Sequence, residues 1–146
     1  DTNPSFGWVN ITADVTETSS IDNVKLIIIY PDGSSDNLTM NSDHSNNYYF
    51  NTSTVFSDYG NYSYHIWAID SNGNQSNSTI HDFSMPPNWD IDMNEKCNLL
   101  DLTFISNQYN EEGENGFIRE DVDNNGEVKV LDFMYVVGHL TQSWYE

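Results

Sequence analysis

Residues 90–109, DIDMNEKCNLLDLTFISNQY, and residues 121–140, DVDNNGEVKVLDFMYVVGHL, are two copies of one pattern, in which Asp90 matches Asp121. Each begins Asp-X-Asp-X-Asn, carries an apolar residue at its eighth place (Cys97, Val128), has Asp at its twelfth, and runs into an amphipathic segment. Alternate residues of a curled loop converge on one point, and two carboxylates about 4 Å apart repel by about 1 to 4 kcal/mol unless something neutralises them. A chain with 23 acidic and four basic residues has few cations of its own to do so. A hard divalent ion does it, because calcium takes about six to eight oxygen ligands in an adaptable shell.

The spacing follows the EF-hand loop, in which places 1, 3, 5 and 12 supply side-chain oxygens and place 7 a backbone carbonyl. Two Ca2+ sites are therefore expected. The first takes Asp90, Asp92, Asn94 and Asp101 with the carbonyl of Lys96; the second takes Asp121, Asp123, Asn125 and Asp132 with the carbonyl of Glu127. Place nine (Asn98, Lys129) acts, where it acts, through water. Loop two has Gly126 at the sixth place, where the backbone turns into a region unfavourable to other residues. Loop one has Glu95 there, so site one is expected to bind more weakly or to adopt a slightly different loop. A third acidic stretch, DSNGN at 70–74, starts in the same way but has His81 at its twelfth place, and it reads as a hairpin turn.

Apolar residues after each loop fall at helical intervals: Leu102, Ile105 and Tyr109, then Phe133, Val136, Val137 and Leu140. No helix precedes either loop, and Pro86 and Pro87 stand where the first would be. A loop and one helix, twice, with Asp at place twelve, resembles the dockerin family over residues 88–146, and GFIREDVDNNGEV looks like repeats of archaeal cell-surface proteins. The resemblance implies calcium-dependent folding and docking to a cohesin-like partner. It places the partner-reading positions at Leu99, Leu100, Ser106 and Asn107 and at Val130, Leu131, Val137 and Gly138. Many dockerins have Ser or Thr where this chain has the apolar Leu99, Leu100, Val130 and Leu131, which also permits a different partner surface. Trp89 and Trp144-Tyr145 resemble the aromatic clasp joining dockerin ends. Cys97 reads as a small buried hydrophobe, pointing inward between paired loops.

Before residue 85 the period changes to two. Candidate strands are Trp8–Val15, Asn23–Tyr30, Asp36–Met40, Tyr48–Ser53, Asn61–Asp70 and Ser76–Phe83, separated by turn clusters. In VKLIIIY both faces are apolar, as in a central strand covered on both sides. Asp58, Gly60 and Tyr62 have the spacing of a tyrosine corner, and this half resembles the immunoglobulin-like modules of prokaryotic surface proteins. The expected organisation is an immunoglobulin-like β-sandwich over 1–84, a proline-containing linker over 85–89 and a small α dockerin-like domain over 90–146.

Six Asn-X-Ser/Thr acceptors, Asn10, Asn37, Asn51, Asn61, Asn74 and Asn77, all precede residue 80, and strand alternation turns Asn10, Asn37 and Asn61 outward. N-linked glycans and an extracellular or cell-surface location are expected. A net charge of −19 argues against nucleic acid or anionic lipid as partner, although acidity is also what salty surroundings select. No apolar run is long enough to span a membrane, and no signal peptide is present, as in a processed chain or a fragment. The single cysteine allows no intrachain disulfide, and the four histidines lack ligand spacing. With no nucleophile motif and its carboxylate pairs committed to the loops, the chain reads as no enzyme. Three functions follow: a calcium-stabilised docking protein, a glycosylated subunit of a filament or surface layer assembling with other copies of itself, and a calcium sensor. The last is the least favoured, since a sensor needs a helix pair that opens.

Overall fold

The structure is a computed structural model that describes residues 9–43, 46–52, 56–114 and 118–145. Trp8, Ser53, Gly116, Phe117 and Glu146, named above, and His44, one of the four histidines, lie outside the described residues. The fold is mainly β, with two antiparallel sheets and two short helices among the described residues. One compact unit comprises Val9–Thr52 and Asn61–Ser84; residues 56–60 and 85–145 belong to the other.

In the first unit, β1 (Val9–Asp14), β5 (Asn47–Thr52) and β4 (Asn41–Ser42) form a three-stranded sheet in the order β1-β5-β4. The larger sheet runs β3 (Ser35–Thr39), β2 (Ile21–Ile29), β6 (Gly60–Asp70), β7 (Gln75–Asn77), with β8 (His81–Met85) also paired to β6. Period-two alternation decides which side chains are buried. Ile11 in β1, Val24, Leu26 and Ile28 in β2, and Tyr62 and Ile66 in β6 are all buried. Tyr62 stacks on Phe83 at 5.1 Å and meets Tyr30 edge-on at 5.8 Å. β2 is central, between β3 and β6, but only one of its faces is buried: Ile27 is half-buried and Ile29 exposed.

The last expected strand is split in two. Ser78 Oγ accepts from Ile66 N at 2.9 Å while Ser78 N donates to the Ile66 carbonyl, so a side chain replaces one rung of the ladder and the strand breaks before β8. The DSNGN stretch is a hairpin turn between β6 and β7, with Gly73 at φ +85°. Its buried Asp70 accepts from Ser19 Oγ (2.6 Å), from the backbone N–H groups of Asn72 and Asn74, and from Asn74 Nδ2. Those donors, the Ser19 hydroxyl foremost, hold its carboxyl down at about 2. It is a turn residue whose oxygens are already occupied.

The second unit contains α1 (Leu99–Asn107) and α2 (Val130–Val137). Its core joins Trp89, Ile91, Cys97, Ile105, Val122, Val128 and Val136, flanked by Leu102, Ile118, Phe133, Leu140 and Trp144. Tyr109 and Val137 are exposed rather than core, because α1 ends before Tyr109 and Val137 lies about 100° around α2 from the buried Val136. The expected linker is not an open passage, since Met85, Pro86, Pro87 and Trp89 are buried and Trp89 lies in this core. Tyr59 also falls in this unit, its ring 6.5 Å from that of Trp89, so the boundary does not follow sequence order.

Candidate metal centres

Each acidic loop is organised around its twelfth residue. Asp101 Oδ1 accepts from the backbone N–H groups of Ile91 (2.8 Å) and Asp92 (3.3 Å), and its Oδ2 from Asn98 N (2.8 Å). Asp132 repeats this with Val122 (2.8 Å), Asp123 (3.2 Å) and Lys129 (2.8 Å). Each sits in the first turn of its helix, where a carboxylate reaching back to the residue before the helix satisfies a free donor and complements the helix dipole. Asn98 adds a cap by accepting from Leu100 N.

The first residue gathers the middle of the loop. Asp90 Oδ1 accepts from Asn94 N (3.0 Å) and Oδ2 from Glu95 N (2.9 Å); Asp121 does the same with Asn125 N (3.1 Å) and Gly126 N (2.7 Å). Asp92 and Asp123 Oδ1 accept from the same Asn94 and Asn125 amides, and the Asn94 and Asn125 side-chain oxygens accept from Lys96 N and Glu127 N. Such short-range turns curl the chain with no partner from outside the loop. Asp90, Asp92 and Asp101 each bring one oxygen within 4.8 Å of the others, and Asp121, Asp123 and Asp132 do likewise.

These two groups of three acidic residues are able to hold a metal ion. Asp90, Asp101, Asp121 and Asp132 are fully buried, Asp92 half-buried and Asp123 exposed. Burial pushes the Asp92 carboxyl above the ordinary carboxylate range, helped by the charges of Asp101 and Asp90. Burial likewise pushes Asp121 up, with Asp132 and Asp123 adding, against the opposing hydrogen bonds from Gly126 and Asn125. A cation at either point reverses that penalty. The gathered side-chain donors are all oxygen, which suits hard cations. Cys97 is no ligand: its thiol donates to the Val136 carbonyl, and burial, then Asp101 and Asp90, push it up to about 11.

The loops do not pair with each other at their eighth places. Cys97 exchanges backbone hydrogen bonds with Thr141 and Gln142, after α2, and Val128 with Asn110 and Glu111, after α1. Each loop is thus laddered to the segment that follows the other repeat's helix. Lys96 and Glu127, whose carbonyls are expected ligands, lie in the bridges Lys96–Ser143 and Glu112–Glu127.

Both loops adopt one backbone form. At the fourth place Met93 and Asn124 have φ +58° and +56°, and at the sixth Glu95 and Gly126 have φ +74° and +92°. Glu95 therefore follows the glycine path and carries its strain, about 1 kcal/mol. Glu95→Gly is expected to tighten divalent binding at one of two sites about fivefold, which is that energy expressed as affinity. Calorimetric titration of both proteins checks it.

Three braces were not visible in the sequence. Arg119 Nη2 donates to the carbonyls of Pro87 (2.5 Å) and Asp90 (2.8 Å). Burial pushes its guanidinium down to about 10, opposed by Asp90, Glu120 and Asp101, so it stays cationic at neutral pH. Asn88, which holds in the first repeat the place that Arg119 holds in the second, donates to the Val122 carbonyl at 3.2 Å, so each repeat braces the other's loop. Trp144 Nε1 donates to Asp90 Oδ2 at 2.5 Å, while Trp89 stacks on His139 at 5.5 Å. The two tryptophans thus have different partners.

Leu99, Leu100, Ser106, Asn107, Val130, Leu131, Val137 and Gly138 are all exposed. Asn10, Asn37, Asn51, Asn61, Asn74 and Asn77 are exposed too, but Asn74 Nδ2 is engaged by Asp70 and Asn61 Oδ1 by Ser84. Among the described residues no helix is long and apolar enough to cross a membrane.

No family model matches the sequence, and no curated protein matches it. Solved structures similar to it include the cycloalternan-degrading enzyme from Trueperella pyogenes, alone (14% identity, TM-score 0.43), with isomaltose (13%, 0.43) and with cycloalternan (12%, 0.44). The matches cover 57%, 57% and 56% of this chain but only 11%, 11% and 14% of those chains. The expectation that the chain is no enzyme is corrected on this finding, because the similar structures are those of an enzyme. At a TM-score below 0.5 the likeness itself assigns the chain no activity.

Proposed function

We propose that residues 90–145 form a dockerin-like module of two loop-helix repeats that binds two calcium ions and docks its chain to a protein partner at the cell surface, carried by an immunoglobulin-like β-sandwich. The observation that carries this reading is the duplicated loop, in which the same hydrogen bonds gather three carboxylates twice. Asn94 and Asn125 and the carbonyls of Lys96 and Glu127 complete the ligand sets this reading assigns. Calcium supplies a divalent charge to an all-oxygen site and leaves each loop about one negative charge.

The helices supply the docking surface. Leu99 is 72% exposed and Met134 64%, and Leu100, Phe104, Val130, Leu131, Tyr135 and Val137 are exposed beside them. The only charged residues within α1 and α2 are the buried Asp101 and Asp132, so a chain of net charge −19 presents uncharged helix faces. Exposed apolar surface of this kind marks an interaction site. A cohesin-like protein fits it. The second reading, a glycosylated filament or surface-layer subunit, is favoured by the six exposed Asn acceptors and by a face present once per repeat, which suits contact with two neighbouring copies.

Titrating cohesin modules onto the calcium-loaded chain tests the proposal. Binding is expected to disappear in chelator and to fall at least tenfold in Leu131→Asp, since a charge buried in an apolar interface without a partner costs more than the roughly 1.4 kcal/mol that tenfold represents. Equal binding with and without calcium sinks the docking account. Large particles in calcium, dispersed by the same substitution, select self-assembly instead.

A further inference from the structure

We infer that Trp144 is a positioning residue of the first loop, and that occupancy of that site by a divalent cation and closure of residues 141–144 on it form one equilibrium; this rests on the calcium reading above.

Here the two repeats part company. The backbone scaffold is duplicated: Trp144 N donates to the Glu95 carbonyl (3.3 Å) as Gly113 N does to the Gly126 carbonyl (3.0 Å), Trp144 matching Gly113 and Glu95 matching Gly126 in the repeat alignment. The side chains differ. A Cβ at Gly113 would meet Ile118 Cδ1 at 2.8 Å, and glycine has no side chain to donate to loop two. Trp144 instead sends its indole N–H to the fully buried Asp90, on the same Oδ2 that accepts from Glu95 N. Among the described residues Oδ1 keeps a single donor, Asn94 N at 3.0 Å, and is the freer oxygen for a cation.

Indole is a donor without charge, so it orients the carboxylate without competing with the cation as a lysine would. Hydrogen bonds that fix a ligand in this way are worth about 10- to 100-fold in metal affinity. With Arg119 holding the Asp90 carbonyl, this ligand is fixed at main chain and side chain from outside its own loop. Coupling is reciprocal: whatever the closed segment adds to cation affinity, the cation adds to closure.

The test uses the full chain. Trp144→Phe keeps an aromatic ring and removes the N–H; calorimetric titration with calcium is expected to show one site weakened about tenfold and the other within about twofold of the wild type. Unchanged affinities in a folded variant overturn the inference while leaving calcium binding intact, whereas a wild-type chain that takes up no calcium overturns both. Amide exchange on the wild type needs no variant. Across a calcium titration, protection of Thr141 and Trp144 is expected to follow that of Asn94 and Glu95 and to differ in midpoint from Asn125 and Gly126. Protection of Thr141 and Trp144 that is independent of calcium, or that follows loop two, overturns the inference.

Discussion

In chelator the unit holding α1 and α2 is expected to unfold at a temperature at least about 20 °C lower than in calcium. Its helices have nine and eight residues, shorter than the about 12 to 15 at which an isolated helix begins to hold in water. Its core is one small cluster around Trp89, Ile105 and Val136, and domains of this size bury too little to be more than marginal. Into that core the fold brings four fully buried aspartates, two per loop, each with further carboxylate within reach. Ions that bind only the folded form add RT ln(1 + [L]/Kd), about 2.7 kcal/mol per site at a hundredfold excess and so about 5 kcal/mol for two. A small domain moves by about 4 to 8 °C for each kcal/mol. Helix ellipticity followed through melts with calcium and with chelator gives the shift directly. The helix signal should fall first in chelator, because the sheets of Val9–Ser84 contain neither acidic loop. An identical melt in both conditions removes calcium from the account.

The loops were legible because the interactions that shape them are local. Asp90 reaches residues four and five further on, Asp92 two, and Asn94 two, so residue type and spacing alone specify the curl. Strand alternation was legible in β1 and β6 for the same reason, side-chain direction following position, whereas the unbroken apolar run of β2 hid its alternation. What escaped depended on groups far apart in sequence or on a substitution of one acceptor type for another. Ser78 breaks a strand by putting a hydroxyl where a carbonyl belongs, which period-two reading does not register. Pro86 and Pro87 look like a spacer because of their backbone restriction, yet they are apolar and the fold buries them. Arg119 and Trp144 reach Asp90 across 29 and 54 residues, and only the folded chain brings them there. The sixth place taught the converse. Glycine at Gly126 announced a left-handed residue, and Glu95 adopts the same conformation without announcing it, because three other places of the loop already fix the path.

Asp132→Ala is expected to abolish folding of the same unit even in saturating calcium, while Asp123→Ala leaves it folded and only weakens one site. Both residues stand in the same triad, so a reading based on charge count alone predicts equal effects. Their surroundings separate them. Asp132 is fully buried, and its two oxygens accept from three backbone N–H groups, those of Val122, Asp123 and Lys129. Removing the carboxylate leaves the buried Val122 N–H without a partner, at about 1 to 3 kcal/mol, and takes the acceptor from the part-buried Asp123 and Lys129 N–H groups as well. It also opens the first turn of α2 and takes a ligand from the cation. Much of the about 2.7 kcal/mol that the second ion would supply is lost with its ligand, so added calcium is expected not to restore the fold. Asp123 is exposed and, among the described residues, accepts only from Asn125 N at 3.2 Å; its loss costs one ligand and leaves its neighbours free to bond to water. Helix content at high calcium distinguishes the two, with Asp123→Ala close to the wild type and Asp132→Ala close to the chelated chain. Asp101→Ala should match Asp132→Ala, since Asp101 holds Ile91, Asp92 and Asn98 in the same way. If all three substitutions leave the helices intact, the twelfth residue is a cation ligand and nothing more, and the hydrogen bonds it accepts do not hold the loop to its helix.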